Sequence, residues 1–327
     1  MQVIGVDLGG TKVAVATLRG RELGDSTIEP TQLSNSDALI GQLVEMVESA
    51  RDPSLEAVGI GVPSVVDFDT GRVVSSVNIP LVDVPLRQVL GERLGVPVFV
   101  DNDATVAALA EAHDEQLRRI VDDLVMITVG TGVGGGLILG GRIYRGASGG
   151  AGEFGHTIVG LDLEQELVEL GRFPRRGSLE YEASGRALDR LAGQCALDHP
   201  DSKLGRLRGE GGAVLGADAV KAAADGDAAA RSVLQRWGER VGIGVANAIN
   251  TFDPQEVVIG GGAARAGDLL LEPVRRVAAG YVLPGLGTRT EIRLARHGVH
   301  AGVLGAALLA AHELETSASR PAPGAAR

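Results

Sequence analysis

The sequence predicts an α/β protein built from two domains of similar plan, and three observations carry that reading. The segments VIGVDLGGTKVAVATL from Val3 and LVMITVGTGVGGGLIL from Leu124 look alike, each an apolar strand, a tight Gly/Thr turn and a second apolar strand. Apolar runs of strand length alternate with stretches of helical periodicity after each of these hairpins. Finally, 327 residues, 44% of them apolar, supply enough chain and core material for two domains.

The elements follow in order. After the first hairpin, Ala38 to Ala50 places Leu39, Leu43, Val44 and Val47 at helical spacing. AVGIGVPS then reads as a strand ending at Gly61 and Pro63, PLRQVLGERLG as a helix, VPVFV as a buried strand, and Asp103 to His113 as a further helix. The second half opens with the hairpin Leu124 to Leu139. Its uncharged run to Gly141 is long enough to raise the question of a membrane span, but the many glycines favour two strands and a turn. A loop-rich stretch to Gly177 precedes helices from Leu179. A long helix near Ser232 to Ile249 puts Leu234, Trp237, Val241, Val245 and Ala248 on one face. The strand EVVIGGG and a helix from Gly267 echo the first half, and an apolar helix near Ala301 to Leu314 closes the pattern. The expected domains are 1–118 with 300–315, and 119–299, with 316–327 a disordered tail.

Charge and cysteine content narrow the classes. A net charge of −11 argues against a non-specific nucleic-acid surface, which needs a basic face. The single Cys195 excludes an internal disulfide and any multi-cysteine metal site. The N-terminus has neither a charged leader nor an apolar core segment, so a cytoplasmic protein with no membrane partner is expected.

Both hairpin tips can bring backbone N–H groups close to an anion. In the second, Gly130, Gly132, Gly134, Gly135 and Gly136 leave no Cβ in the way of a ligand. Two such tips suggest a duplicated scaffold around a phosphate chain, and so a nucleotide-binding enzyme. Asp7 closes a buried strand beside the first tip, where a carboxylate could hold Mg²⁺ through water while Thr11 and Lys12 address phosphate oxygens. Read alone, Asp7-Leu8-Gly9-Gly10 is equally a plain hairpin turn. Asn102-Asp103 follows a strand and opens a helix, so an N-cap and a rigidly held carboxylate are both expected there.

In order along the chain, Asp7-Leu8-Gly9-Gly10-Thr11-Lys12, Val100-Asp101-Asn102-Asp103-Ala104, Gly130 to Gly136, Glu153-Phe154-Gly155-His156, Ser178-Leu179-Glu180 and Gly260-Gly261-Gly262 resemble the motifs of the ROK family of bacterial sugar kinases and repressors. The resemblance covers the chain to about residue 312. It implies an actin-like ATPase (ribonuclease H-like) fold, two similar α/β domains closing over ATP and a sugar in the cleft between them. It further implies that Asp103 is the catalytic base and that Asn78, Asn102, Glu153, His156 and Glu180 contact the sugar. Gly9, Gly10, Thr11, Lys12, Thr131 and Gly132 would face the phosphates and Gly260, Gly261 and Gly262 the adenosine, with ATP and Mg²⁺ as cofactors. Ser64 stands where the family usually has glycine.

One departure is plain. Most family members carry three cysteines between the residues matching His156 and Glu180, which bind zinc together with that histidine. Here the positions are Gly171, Phe173 and Ser178, so no tetrahedral zinc site is expected and the loop must be held by packing, of Leu167, Leu170 and Phe173. The resemblance implies an ATP-dependent hexose kinase, with glucose first and glucose 6-phosphate as product. N-acetylglucosamine, N-acetylmannosamine, fructose and a C7-cyclitol are the competing substrates. Polyphosphate as donor would favour a basic track, for which Arg172, Arg175 and Arg176 are the clustered candidates. A sugar-responsive repressor would need a DNA-binding segment ahead of the first hairpin, and six residues precede Asp7. The family also implies a homo-oligomer, a dimer or tetramer.

Overall fold

The computed structural model describes residues 1–76, 78–160 and 173–319. The chain begins with strands β1 (Gln2–Leu8), β2 (Lys12–Arg19), β3 (Glu22–Leu23) and β4 (Thr27–Pro30), followed by helix α1 (Ser36–Ala50). Strands β5 (Ala57–Val62), β6 (Ser64–Asp67) and β7 (Arg72–Ser76) lead to α2 (Leu86–Leu94), β8 (Val98–Asn102) and α3 (Asp103–Glu111). The second hairpin is β9 (Leu124–Val129) and β10 (Val133–Leu139), with β11 (Arg142–Ile143) beyond it. Helices α4 (Leu179–Ala183), α5 (Gly185–Asp198), α6 (Lys203–Gly209), α7 (Gly216–Ala224) and α8 (Ala228–Phe252) precede β12 (Glu256–Gly260), α9 (Asp268–Tyr281), β13 (Glu291–Leu294) and α10 (Ala301–Ser319).

Two compact units result. The first comprises Met1–Asp122, Gly136–Ala151 and Arg296–Arg327, the second Asp123–Gly135 and Gly152–Ala295. This division falls inside β10 and moves Gly136–Ala151 into the first unit, whereas the boundaries drawn on sequence fall at 118 and 300. The last helix continues through Ser319, into the stretch expected to be tail, and 320–327 lie outside the described residues.

In the first unit the sheet runs β3-β2-β1-β5-β8, with β4 also on β2. β1 pairs antiparallel with β2 and parallel with β5, which pairs parallel with β8. Such parallel neighbours need helical crossovers, supplied by α1 and α2. β1 and β5 are buried nearly end to end, the mark of strands covered on both faces. α10 packs on β1, β5 and α3. It approaches so closely that side chains at Gly5 and Gly59 would strike the carbonyls of Val303 and Ala306.

The second sheet repeats the plan in the order β11-β10-β9-β12-β13, with β12 parallel to both β9 and β13. Helices α5, α7, α8 and α9 pack on one another in the second unit. Trp237 of α8 is 1% exposed and donates its indole N–H to the Ala183 carbonyl at 2.8 Å. The uncharged run from Leu124 is two strands and a turn, as the glycines predict. No helix among the described residues is long and apolar enough to cross a membrane.

One expectation is corrected here. Gly135 and Gly136 do not leave room for a ligand: they lie inside β10, where protein atoms use the space. A Cβ at Gly135 would lie 2.5 Å from the Gly152 carbonyl and Phe154 ring, and one at Gly136 would lie 2.7 Å from the Ala104 carbonyl. These glycines allow close packing, and only Gly130 and Gly132 belong to the tip.

Candidate active site

In the first unit the turn between β1 and β2 is a rigid cradle. The Gly9 N–H donates to the Lys12 carbonyl at 2.9 Å, and Thr31 clamps the tip from outside, its hydroxyl donating to the Gly9 carbonyl at 2.7 Å and its N–H to the Thr11 carbonyl at 3.1 Å. Thr11 and Lys12 are exposed at the tip while Gly9 and Gly10 are half-buried. Asn78 sits directly against Gly10, whose Cβ would lie 3.1 Å from the Asn78 Cβ. Thus Asn78 and the first glycine tip come together across a long sequence separation.

Asp7 lies one residue before the end of β1 and faces the first turn of α10. A Cβ at Gly302 would be 2.5 Å from its carboxylate, so the glycine is needed for the carboxylate to sit there. Burial pushes the Asp7 carboxyl above its ordinary range, and the Lys12 ammonium pulls it partly back. Among the described residues no ion pair is made by Asp7. A buried carboxylate beside this glycine tip has the oxygen-donor chemistry that hard cations take.

Asn102 and Asp103 stand at the junction of β8 and α3. Asn102 is the N-cap: its Oδ1 accepts from the N–H groups of Ala104 at 2.9 Å and Thr105 at 3.2 Å, and its Nδ2 donates to the Ser64 carbonyl at 3.4 Å. Asp103 opens the helix, half-buried, with Oδ1 accepting from the Ala104 N–H at 2.8 Å. Gly61 lets this corner close on β5, since a Cβ there would lie 2.6 Å from the Val106 side chain and 3.4 Å from the Asp103 Cα.

The second unit gathers the other group. At the turn between β9 and β10 the Gly130 N–H donates to the Gly132 carbonyl at 2.9 Å, and the Gly185 N–H donates to the Gly130 carbonyl at 2.7 Å. Thr131 is exposed at this tip. Glu180, in the first turn of α4, accepts from the Val133 N–H at 2.9 Å. The 3₁₀ turn Phe154–His156 rests on the same residue, because Gly155 packs on the Val133 carbonyl. Glu153 and His156 project from it, exposed, with carboxylate and imidazole 3.8 Å apart. The parallel register sets Gly260 beside Thr128, so Gly261 and Gly262 follow next to the end of β9. Gly261 has φ 76° and passes within packing distance of the Val129 backbone, a place closed to any side chain.

Two of the positions that matched zinc ligands, Phe173 and Ser178, lie among the described residues and are otherwise engaged. Ser178 is buried and caps α4, its hydroxyl accepting from the Tyr181 N–H at 3.3 Å. Phe173 is 60% exposed and does not pack the loop into the core as expected; its ring meets the His156 imidazole edge to face at 5.2 Å and carries the Arg175 guanidinium 5.0 Å from its centroid. Leu167, Leu170, Gly171 and Arg172 lie outside the described residues. Three supporting features went unread in the sequence: the Thr31 clamp, the close approach at Gly302 and the ion pair of Asp101 with Arg145. Only Asp101 carried a signal, as a carboxylate adjoining Asn102-Asp103.

A sequence model of the ROK family matches residues 3–313. A glucokinase of Halalkalibacterium halodurans is 35% identical over 314 residues, 92% of each chain. Among solved structures, a ROK family glucokinase from Streptomyces griseus in complex with glucose and AMPPNP superposes with TM-score 0.78 at 31% identity, covering 95% of this chain and 100% of that one. A ROK hexokinase from Thermus thermophilus gives TM-score 0.75 at 36% identity, covering 96% and 100%.

Proposed function

The chain belongs to the ROK family, and on that premise we propose that it transfers a phosphoryl group from ATP to a sugar hydroxyl, with glucose as substrate and glucose 6-phosphate as product. It has the actin-like ATPase fold, each unit built on a sheet that carries one glycine-tipped hairpin. The observation that carries the reading is the corner at Asn102 and Asp103. Asn102 caps α3 and holds the corner, and the half-buried Asp103 carboxylate, one oxygen of which accepts the Ala104 N–H, is carried by the first turn of that helix, a fixed place suited to a base.

In this reading an Asp103 oxygen accepts the proton of the sugar hydroxyl as its oxygen bonds to the γ-phosphorus. The bond to the β,γ-bridging oxygen breaks and ADP leaves. Asn78, Asn102, Glu153, His156 and Glu180 hold the other hydroxyls, since carboxylates, amide and imidazole give directed hydrogen bonds. Backbone N–H groups at Gly9, Gly10, Thr131 and Gly132, with Thr11 and Lys12, hold the phosphates, and Gly260 to Gly262 pass along the adenosine. Asp7 would hold Mg²⁺, which supplies charge neutralisation at the phosphates.

We also propose that the enzyme works without zinc. The support is that the Ser178 hydroxyl caps a helix and Phe173 presents a ring, not a thiolate, to His156. By family the protein is a homo-oligomer, which light scattering after size exclusion would test. A coupled ADP-release assay over glucose, N-acetylglucosamine, N-acetylmannosamine, fructose and a C7-cyclitol, each with ATP and with polyphosphate, tests the substrate. Glucose with ATP should give the highest kcat/KM. Absence of turnover with every sugar would overturn the kinase reading, and a higher kcat/KM for another sugar would overturn the choice of glucose.

A further inference from the structure

A buried ion pair stands directly behind the corner that holds Asp103. Asp101, two residues before it on β8, is 4% exposed. One carboxylate oxygen accepts from the Asn102 N–H at 2.9 Å, and the other from the Arg145 Nε at 2.7 Å. Arg145 follows β11, 44 residues away in sequence, and reaches back to this strand end. Its guanidinium lies on the Phe68 ring at 3.4 Å from the centroid, and a second nitrogen meets Glu313 of α10 at 3.4 Å. All these residues belong to the first unit.

The chain of bonds is continuous. Phe68 and Glu313 fix the guanidinium, the guanidinium fixes the Asp101 carboxylate, and that carboxylate holds the Asn102 N–H. Asn102 in turn accepts the Ala104 and Thr105 N–H groups and so sets the first turn of α3, from which Asp103 projects. Arginine suits this duty because its planar fork can stack on a ring and present directed N–H groups at once. Burial pushes the Asp101 carboxyl above its ordinary range, and the adjoining Arg145 guanidinium opposes that shift.

We propose that Arg145 is a positioning residue for phosphoryl transfer, acting through Asp101 and Asn102 on the placement of Asp103. The inference rests on the reading of Asp103 as base. Without the guanidinium, Asp101 loses the bond that orients its carboxylate, and the Asn102 corner loses its backing. A displacement of an ångström at a reacting group costs about 10²-fold in rate. Of the groups proposed to contact the sugar, only Asn102 shares this corner, while Glu153, His156 and Glu180 keep supports in the second unit, so the loss should fall more on kcat than on sugar affinity.

The test compares wild type with Arg145→Gln, Arg145→Lys and the double variant Asp101→Asn/Arg145→Gln, which leaves no buried charge unpaired. Steady-state kinetics with ATP and the sugar that wild type turns over give kcat and KM. Amide hydrogen exchange is followed in parallel at Ala104 and Thr105, with the amides of α2 as internal reference. Arg145→Gln is expected to lower kcat by about 10- to 10²-fold with sugar KM within about threefold, and to speed exchange at Ala104 and Thr105 but not in α2. The double variant should recover part of kcat. Arg145→Lys, which keeps charge without the fork, should fall between.

An Arg145→Gln enzyme with unchanged kcat, or exchange that rises equally in α2, would overturn the proposal. If Arg145→Gln does not fold, the double variant and Arg145→Lys decide, and wild-type kcat and exchange in both overturn it. Failure of wild type to phosphorylate any sugar would instead sink the functional reading, while exchange at Ala104 and Thr105 would still judge the positioning.

Discussion

Replacing Gly132 by alanine should damage the site through one carboxylate, and the geometry sets the size of the effect. Gly132 has no left-handed backbone, so the glycine is required for space and not for conformation. Its Cβ would lie 2.5 Å from Oε2 of Glu180, where ordinary contact starts at 3.4 Å. The carboxylate must therefore retreat by about 0.9 Å. Its hydrogen bond from the Val133 N–H, 2.9 Å long, would be lost by that movement. A hydrogen bond to a charged group is worth about 1.5–3 kcal/mol, and the flexible glutamate returns part of this, so a stability loss of about 1–2 kcal/mol is expected in urea unfolding. The larger effect is functional. Glu180 holds a sugar hydroxyl in the proposed mechanism, and a shift of nearly an ångström should lower kcat/KM for the sugar by about 10- to 10²-fold. Glu180→Gln isolates the mechanism. If the alanine acts through Glu180, the double variant should be little worse than the poorer single one, because the two changes remove the same interaction. A Gly132→Ala enzyme with wild-type kcat/KM, or fully additive losses in the double variant, would refute the reasoning.

Two further outcomes are expected. Burial raises the Asp7 carboxyl above its ordinary 3.8, so the folded state holds this proton more tightly than the unfolded chain. Its contribution to stability is full below 3.8 and is lost as pH rises through the folded value. Asp7→Asn, which cannot ionise, should therefore raise Tm at neutral pH, with the gain shrinking as pH falls toward 3.8, while turnover with ATP and Mg²⁺ collapses. A variant that melts lower at neutral pH would contradict this. Elemental analysis of purified protein should find no stoichiometric zinc, and treatment with a zinc-selective chelator, removed before assay with Mg²⁺ and ATP, should change neither fold nor activity. One tightly held zinc per chain would contradict the proposal that the enzyme works without it.

What was legible in the sequence followed from local physics. The two hairpins, the cap at Asn102 and the apolar face of the helix bearing Trp237 each depend on residues a few positions apart, and spacing alone reveals them. The small antiparallel pair β6 and β7 and the edge strand β13 went unread, being short and only partly buried. The duties of Gly135, Gly136 and Gly302 depend on which element arrives opposite them, and a glycine kept for packing looks the same as one kept for a ligand until the fold is seen. The Asp101 to Arg145 pair is tertiary in the same sense. The assignment of Glu153 and His156 to a sugar site rests on the order of motifs along the whole chain, since taken alone they form an ordinary loop.

The central claim is that Asp103 removes the proton from the attacking sugar hydroxyl, and Asp103→Asn tests it most directly. Asparagine can still accept the Ala104 N–H through its Oδ1, and the cap itself belongs to Asn102, so the corner should keep its shape. The measurement is kcat with saturating ATP beside sugar affinity by calorimetry. The account predicts that kcat falls by at least about 10²-fold, within the range for general-base catalysis, while the sugar Kd stays within a few-fold. Turnover within about tenfold of wild type in a folded, sugar-binding variant would contradict it.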